Sequence, residues 1–135
     1  MIVAAPFDWS TYLTLAEELA KRTDEASLRS AVSRTYYSVY HLALARAVAN
    51  NFTTLSGEGK HAQLWRLFTT SPEPDCMKLG QIAERLKEKR VRADYEPHFA
   101  RIEEEVPELL NDARDFAVRL QKLNSRYPNP ASVRQ

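Results

Sequence analysis

The sequence predicts an all-α protein, an antiparallel bundle of four to five helices in which the second and the last helices are long. Apolar residues recur at helical spacing along nearly the whole chain. Only three glycines occur, and they do not mark turns between strands. Near the C-terminus the apolar residues step regularly by four and three positions, which indicates one continuous buried stripe.

The first two helices are predicted at about 8–22 and from Asp24 to about Asn50. Asp24 is a good N-cap residue because its carboxylate can accept hydrogen bonds from the free N–H groups of the next turn. Each helix has an apolar face. In the first it consists of Trp9, Tyr12, Leu13, Ala16 and Leu19, and in the second of Leu28, Ala31, Val32, Val39, Leu42 and Ala43.

Two shorter helices are predicted next. The segment 51–60 is rich in turn residues and is expected to be a loop. A short helix at about 61–70 then ends at the prolines of 71–75, because a proline disfavours helical geometry in the residue before it. A fourth helix at about 76–92 buries Leu79, Ile82 and Leu86.

The last helix carries the most regular apolar stripe, which we expect to pack inside the bundle or, less favourably, against a second chain. Pro107 either kinks this helix or lies in its first turn, where a missing N–H has little effect. One domain is predicted at 1–126, followed by a flexible tail at 127–135. The stripe consists of Ile102, Val106, Leu109, Ala113, Phe116, Leu120 and Leu123.

Composition excludes several classes of function. The net charge is +1, so a nucleic-acid site would have to be a local feature. Cys76 is the single cysteine and no Cys/His cluster has zinc spacing, so neither an internal disulfide nor a metal or other cofactor is predicted. The N-terminus lacks the pattern of a signal peptide, and no apolar stretch approaches the roughly 20 residues of a membrane span. We therefore expect a cytoplasmic protein without membrane association.

A polar stripe follows the second helix. Ser30, Arg34, Tyr37 and His41 are spaced by four, three and four positions and so share one face. Such a row can bind a phosphate. The alternative is a structural network in which Arg34 pairs with a carboxylate, the Tyr37 hydroxyl is solvated and His41 bonds to a backbone carbonyl.

A second candidate site lies at Arg92 and His98, after a basic run. On a continuous helix these residues would be about 120° apart. Pro97 predicts a break, with the last helix starting near Asp94–Pro97 and Asp94 as its N-cap. The bend would let the guanidinium and the imidazole converge, which suits phosphodiester chemistry. The alternative is that Arg92 is a solvated helix-end cation, Asp94 a cap and Tyr95 a core residue. The basic run consists of Arg85, Lys87, Lys89 and Arg90.

Three segments together resemble HEPN domains, which are small helical bundles. The first is S-R-T-Y-Y-S-V-Y-H at 33–41, the second is G-K-H-A-Q-L-W-R-L-F at 59–68, and the third is L-K-E-K-R-V-R-A-D-Y at 86–95. The resemblance is to the subgroup with S-R-x-Y-Y and R-x-x-A-D-Y motifs and spans about 10–123. His61, in the second segment, is either loop surface or part of a site.

The resemblance implies a homodimer and a metal-independent endoribonuclease of the toxin–antitoxin type, often encoded beside a minimal nucleotidyltransferase that acts as antitoxin. The family signature, an arginine and a histidine separated by four to six residues, matches Arg92 and His98 as catalytic residues. His98 would move a proton and Arg92 would stabilise the charged phosphorane, with a second protomer completing the site.

The residues expected to bind the RNA substrate are Arg34, Tyr37, His41, Arg90, Asp94 and Tyr95. The competing hypothesis is a non-catalytic HEPN module that dimerises and binds a nucleotide or a minimal nucleotidyltransferase. A third is a nucleotide-binding regulator that does not contact RNA.

Overall fold

A computed structural model describes residues 5–55 and 59–132 of the chain. This part is all-helical, and the predicted all-α bundle is confirmed. Part of the predicted loop at 51–60, namely 56–58, lies outside the described residues, as do 133–135 of the predicted tail. The elements are α1 (Thr11–Ala20), α2 (Glu25–Ala49), α3 (Lys60–Thr69), α4 (Pro74–Tyr95), α5 (Ile102–Lys122) and a short 3₁₀ turn (Pro130–Ser132).

The start of α2 confirms the role predicted for Asp24. Its carboxylate accepts hydrogen bonds from the Ser27 N–H at 3.0 Å and from the Ser27 hydroxyl at 2.8 Å. These two bonds lower the pKa of Asp24. The first helix is shorter than the predicted 8–22, because Asp8 forms a turn before α1 by accepting from the backbone N–H of Ser10.

Helix α4 is longer than predicted at both ends, and this overturns the role expected for Asp94. Pro74 occupies the first turn, where its missing N–H is not needed. At the other end α4 continues through Tyr95 and stops at Glu96, which is extended as expected before Pro97. Asp94 therefore lies in the last turn of α4 and does not cap α5, which begins at Ile102.

The guanidinium of Arg29, on α2, satisfies the carbonyls at the end of α4. Its Nη1 donates to the carbonyl oxygens of Ala93 at 2.9 Å and Glu96 at 2.6 Å, and its Nη2 donates to that of Pro97 at 3.2 Å. A cation is favourable at a helix C-terminus, where the free carbonyls carry partial negative charge. Arg29 thus fixes the end of α4 against the N-terminal part of α2.

The core lies around α2, which packs against each of the other four α-helices. The whole apolar stripe predicted for α5, from Ile102 to Leu123, is buried, and Pro107 lies inside that helix. The largest fully buried side chains are Trp65, Tyr36, Phe68 and Phe116.

Hydrogen bonds connect the segment after α5 to α2. Arg46 donates to the Tyr127 carbonyl at 3.0 Å, and the Asn50 amide donates to the Pro128 carbonyl at 2.9 Å. Pro128 is itself fully buried. The boundary at 126 and the flexibility of 127–135 remain predictions.

Candidate functional site

The polar stripe of α2 contributes an arginine without a carboxylate partner. The Cζ of Arg34 lies 4.7 Å from the ring centroid of Tyr12 and 5.1 Å from that of Tyr37. Its Nη2 donates to the Ser33 hydroxyl over a long 3.4 Å. Within 5–55 and 59–132 Arg34 forms no ion pair, so the pairing considered for it in a structural network is not observed. Aromatic faces hold this cation in place.

Arg90 comes from α4 and lies against the same tyrosines. Its Cζ is 5.4 Å from the Tyr37 ring centroid and 5.5 Å from that of Tyr36. The side chain is only 11% exposed, and its Nε is buried without a hydrogen-bond partner among the described residues. Asp94 approaches Nη1 at 3.4 Å and also accepts from Ser33 at 3.4 Å. Asp94 therefore links the two helices through long hydrogen bonds.

A buried hydrogen-bond chain fixes His61 beside these arginines. The indole N–H of Trp65 donates to the Tyr36 hydroxyl oxygen at 2.9 Å, and that hydroxyl lies 2.5 Å from Nδ1 of His61. Since the Tyr36 oxygen already accepts from Trp65, we assign its hydrogen to Nδ1. The neutral imidazole then carries its own hydrogen on Nε2. The ring is also stacked on Tyr40, with centroids 3.9 Å apart.

We call this set the tyrosine–arginine cluster. Its members come from α1, α2, α3 and α4. It comprises Tyr12, Ser33, Arg34, Tyr36, Tyr37, His61, Arg90 and Asp94.

The cluster carries an excess of positive charge. Burial, followed by the charges of Arg90 and Lys87 and then the influence of His41, lowers the pKa of His61 to about 4. Burial and then the charge of Arg34 lower the pKa of His41. Both imidazoles are thus neutral near pH 7. The cluster then contains two guanidinium groups, of Arg34 and Arg90, and one carboxylate, that of Asp94.

His41 closes one side of the cluster through its contact with Trp9. The two rings are stacked, with centroids 3.5 Å apart. Tyr12 makes edge contacts with both rings, at 5.3 Å from Trp9 and 6.3 Å from His41. The residues that lead into α1 therefore cover the C-terminal part of the polar stripe.

Arg92 lies away from this cluster. Two positions along a helix correspond to about 200°, so Arg92 and Arg90 point to nearly opposite sides of α4. Arg92 forms ion pairs with Glu88 and Glu96, both at 3.5 Å. It lines a groove of about 610 Å³ between α3 and α4, together with Trp65 and other residues.

His98 and Tyr95 are exposed. His98 lies in the connector between α4 and α5 and makes no hydrogen bond, ion pair or ring contact with the described residues. Tyr95 is 76% exposed and does not enter the core, and among the described residues it makes no hydrogen bond or ring contact with the cluster. Within one protomer the structure records no contact between Arg92 and His98, and the pairing of these side chains as catalytic residues remains a prediction.

The structure thus brings together most of the residues predicted to bind substrate. Arg34, Tyr37, Arg90 and Asp94 belong to the cluster, His41 lies at its edge, and Tyr95 lies outside it. Sequence reasoning did not assign Tyr12, Ser33 and Tyr36 to the site and left the role of His61 undecided. Arg85 and Lys89, which belong to the basic run before Arg92, form ion pairs with Asp112 and Glu105 of α5.

Comparison with protein-family models gives no match, and neither curated proteins nor solved structures provide one. In the described part of the chain, no group of three or more His, Cys, Asp or Glu side chains is arranged to hold a metal ion. None of the helices described has the length and apolar character to cross a membrane.

The lowered pKa of His61 predicts acid sensitivity of the fold. The unfolded chain takes up a proton near pH 6.5, whereas folded His61 does so only near 4. The contribution of neutral His61 to the free energy of unfolding is therefore fully present above about pH 6.5. It is lost as the pH drops towards 4, and the loss is about 2 kcal/mol after allowance for partial solvent screening. Urea unfolding at several pH values measures this loss.

The matched control for that measurement is His61→Asn, which keeps an acceptor for Tyr36 and has no imidazole to protonate. Between pH 6.5 and 4 the free energy of unfolding of this variant should fall by ~2 kcal/mol less than that of the wild type. Equal pH dependence of the two proteins would show that His61 is not protected from protonation.

Proposed function

We propose that this chain is a HEPN-type helical module that binds the phosphate of a nucleotide or of RNA in the tyrosine–arginine cluster. One observation carries the proposal: all three segments on which the family resemblance depends supply this cluster. The first supplies Ser33, Arg34, Tyr36 and Tyr37, the second supplies His61, and the third supplies Arg90 and Asp94. Motifs far apart in sequence therefore meet at one place.

The chemistry of the cluster suits an anion. A guanidinium offers several N–H donors in one plane, which match the oxygens of a phosphate. Arg34 and Arg90 are held against aromatic rings, so less conformational entropy is lost when a ligand binds. The Tyr37 hydroxyl has no hydrogen-bond partner among the described residues and is a further donor.

A purely structural role fits other arginines of this protein better. Arg29 and Arg46 donate to several backbone carbonyls and so connect segments of the fold. Arg34 makes no such bond in the described ranges, where its one side-chain hydrogen bond is the long contact with Ser33. A half-buried cation that neither pairs with a carboxylate nor connects backbone segments is better explained by a ligand.

Equilibrium binding of a fluorescent adenine nucleotide tests the proposal. We expect Arg90→Gln to weaken binding about 30-fold, because charge-assisted hydrogen bonds contribute about 1.5–3 kcal/mol each. Arg34→Gln should have a similar effect. The matched control is Arg119→Gln on α5, an exposed arginine paired with Asp115 at 2.8 Å, which should bind like the wild type. Equal affinity in all three variants, or no binding by the wild type, would contradict the proposal.

A second candidate function is a toxin-like endoribonuclease with Arg92 and His98 at a homodimer interface, restrained by a minimal nucleotidyltransferase. The specific observation in its favour is that His98 is exposed and free among the described residues, while Arg92 borders an open groove. In a dimer, one imidazole would accept the proton of the 2′-hydroxyl as that oxygen attacks the phosphorus, and the guanidinium would stabilise the phosphorane. The imidazole of the second protomer would protonate the 5′-oxygen as its bond to phosphorus breaks.

This candidate predicts that Arg92→Ala and His98→Ala each abolish RNA cleavage while thermal unfolding remains unchanged. Cleavage assays on total RNA, with growth after expression as a second readout, provide the measurement. Cleavage that persists in both variants, or a wild-type protein that is monomeric and inactive, would eliminate this function. Neither result bears on nucleotide binding at Arg90.

A further inference from the structure

We infer that a pocket between α2 and the segment before α3 holds a nucleobase, so that the protein binds a nucleotide unit and not phosphate alone. This inference rests on the proposed function and specifies its ligand class. We call this site the base pocket. Leu44 and Val48 of α2 line one side of it, and Phe52, Thr53 and Thr54 line the other. Its volume is about 340 Å³, near the lower end of the range for ligand pockets, which suits one base.

The base pocket continues from the tyrosine–arginine cluster along one face of α2. Tyr37 and Leu44 are seven positions apart, which places them on the same face and about 10 Å apart along the helix. Tyr40 lies between them and lines the pocket. Its ring centroid is 3.9 Å from that of His61 and 6.2 Å from that of Tyr37. Because a nucleotide carries its base one sugar away from its phosphate, a ligand held by the two guanidinium groups can place its base here.

The walls of the base pocket offer apolar surface to a flat ring. Val48 is 55% exposed although its side chain is apolar. Phe52 is half-buried against the core and makes no ring contact with another aromatic residue of the described ranges. Packing a base against such groups removes apolar surface from water, and stacking on an aromatic ring adds to the affinity.

Hydroxyl groups in the same pocket can bind the polar edge of a base. The side-chain hydroxyls of Tyr40, Thr53 and Thr54 make no hydrogen bond with the described residues. Burial, followed by the influence of Tyr37, raises the pKa of Tyr40, so its hydroxyl keeps its hydrogen at neutral pH. Because a hydroxyl both donates and accepts, it suits the mixture of donors and acceptors on a base edge.

Hydrogen bonds fix the wall of the pocket that precedes α3. The side-chain amide of Gln63 accepts from the backbone N–H of Leu55 at 2.6 Å and donates to the carbonyl oxygen of the same residue at 2.8 Å. The backbone N–H of Phe52 donates to the carbonyl oxygen of Ala47 at 3.0 Å. Since Gln63 is two positions after His61 on α3, one short helix positions both the wall and the edge of the cluster. A wall held in this way loses less conformational entropy when a ligand binds.

Competitive titration with AMP and with ribose 5-phosphate at pH 7.5 is the test, because the two ligands share the phosphate and the sugar and differ in the base. We expect AMP to bind at least about tenfold more tightly, as the packing of one base on apolar and aromatic groups would give. Equal affinity for the two ligands would overturn the base pocket and leave phosphate binding intact. Binding of neither ligand would overturn both.

Val48→Gln tests the location of the base. Its longer polar side chain replaces apolar surface and occupies part of the pocket, while glutamine favours a helix more than valine does. The ratio of the two affinities should fall by at least about threefold, chiefly through weaker AMP binding. The matched control is Val118→Gln on α5, at a valine that is 49% exposed, which should keep the wild-type ratio.

The methyl ¹H–¹³C signals of Leu44 and Val48 give a second readout in the wild-type protein. The ring current of a bound base should shift both signals during titration with AMP, whereas ribose 5-phosphate should leave them in place. Tighter binding of AMP that moves neither signal would contradict the location.

A 5′-phosphorylated oligoribonucleotide distinguishes the two sources of a nucleotide unit. If Val48→Gln weakens the binding of AMP alone, the pocket takes a free nucleotide. If it weakens the binding of both ligands, the pocket also takes a base of RNA. If it weakens neither, the base pocket is contradicted.

Discussion

Gly80→Ala is expected to destabilise the fold by about 2–3 kcal/mol, although alanine is favoured over glycine in a helix by about 1 kcal/mol. A Cβ added at Gly80 would lie 2.7 Å from Cγ2 of Thr69 and 2.9 Å from both Cβ of Phe68 and the backbone N of Thr69. Phe68 is fully buried and the backbone of α3 cannot easily move. Helices α3 and α4 must therefore separate, which disturbs packing on both.

Urea unfolding followed by far-UV circular dichroism measures this change. Gln81→Ala is the matched control, because Gln81 is the next residue of α4 and is exposed. The free energy of unfolding of this variant should stay within about 0.5 kcal/mol of that of the wild type. A Gly80→Ala protein more stable than wild type would show that the two helices are not in such close contact.

Tyr36→Phe is expected to cost about 2 kcal/mol, because it removes one hydroxyl and leaves two polar groups without a partner. The Trp65 indole N–H is fully buried and donates to this hydroxyl. The Nδ1 of His61 receives the hydroxyl hydrogen. Since phenylalanine fills almost the same volume, the loss would come from these unpaired groups and not from a cavity.

Tyr37→Phe is the control for that substitution. Its hydroxyl has no hydrogen-bond partner among the described residues, so its removal should change the free energy of unfolding by less than about 0.5 kcal/mol. The two variants make the same chemical change at adjacent positions of α2. Equal losses would mean that the chain from Trp65 through Tyr36 to His61 does not stabilise the protein.

Much of the fold could be predicted because it depends on local signals. The stripe from Ile102 to Leu123 is periodic, and a helix with such a stripe is stable only when the stripe is buried. Asp24 caps α2 through its own carboxylate, within three residues of the bond it makes. These features need no knowledge of distant parts of the chain.

The end of α4 could not be predicted in the same way. Pro97 restricts only the residue before it, Glu96, so the helix can continue through Tyr95. Its last carbonyls are satisfied by Arg29, which is more than sixty positions earlier in the chain. Asp94 resembles an N-cap by residue type, but its position is decided by this long-range contact.

In the candidate site, too, some features follow from local sequence and others depend on distant contacts. The face shared by Arg34, Tyr37 and His41 follows from helical spacing alone. The contribution of Tyr36 and Trp65 does not, because in sequence they resemble ordinary core aromatics. Their polar function depends on the contact of α2 with α3. Likewise, Arg90 and Arg92 are alike in sequence, and only the packing of α4 decides which of them faces the tyrosines.

The central claim is that Arg34 and Arg90 bind phosphate, and the most direct test is the arginine side-chain ¹H–¹⁵N spectrum during titration with AMP. Residue assignments come from single Arg→Gln variants. We expect the Nε–H signals of Arg34 and Arg90 to shift together and saturate, while those of Arg114 and Arg119 stay in place. Saturating shifts at Arg92 alone, or no shift at Arg34 and Arg90 at saturating AMP, would contradict it.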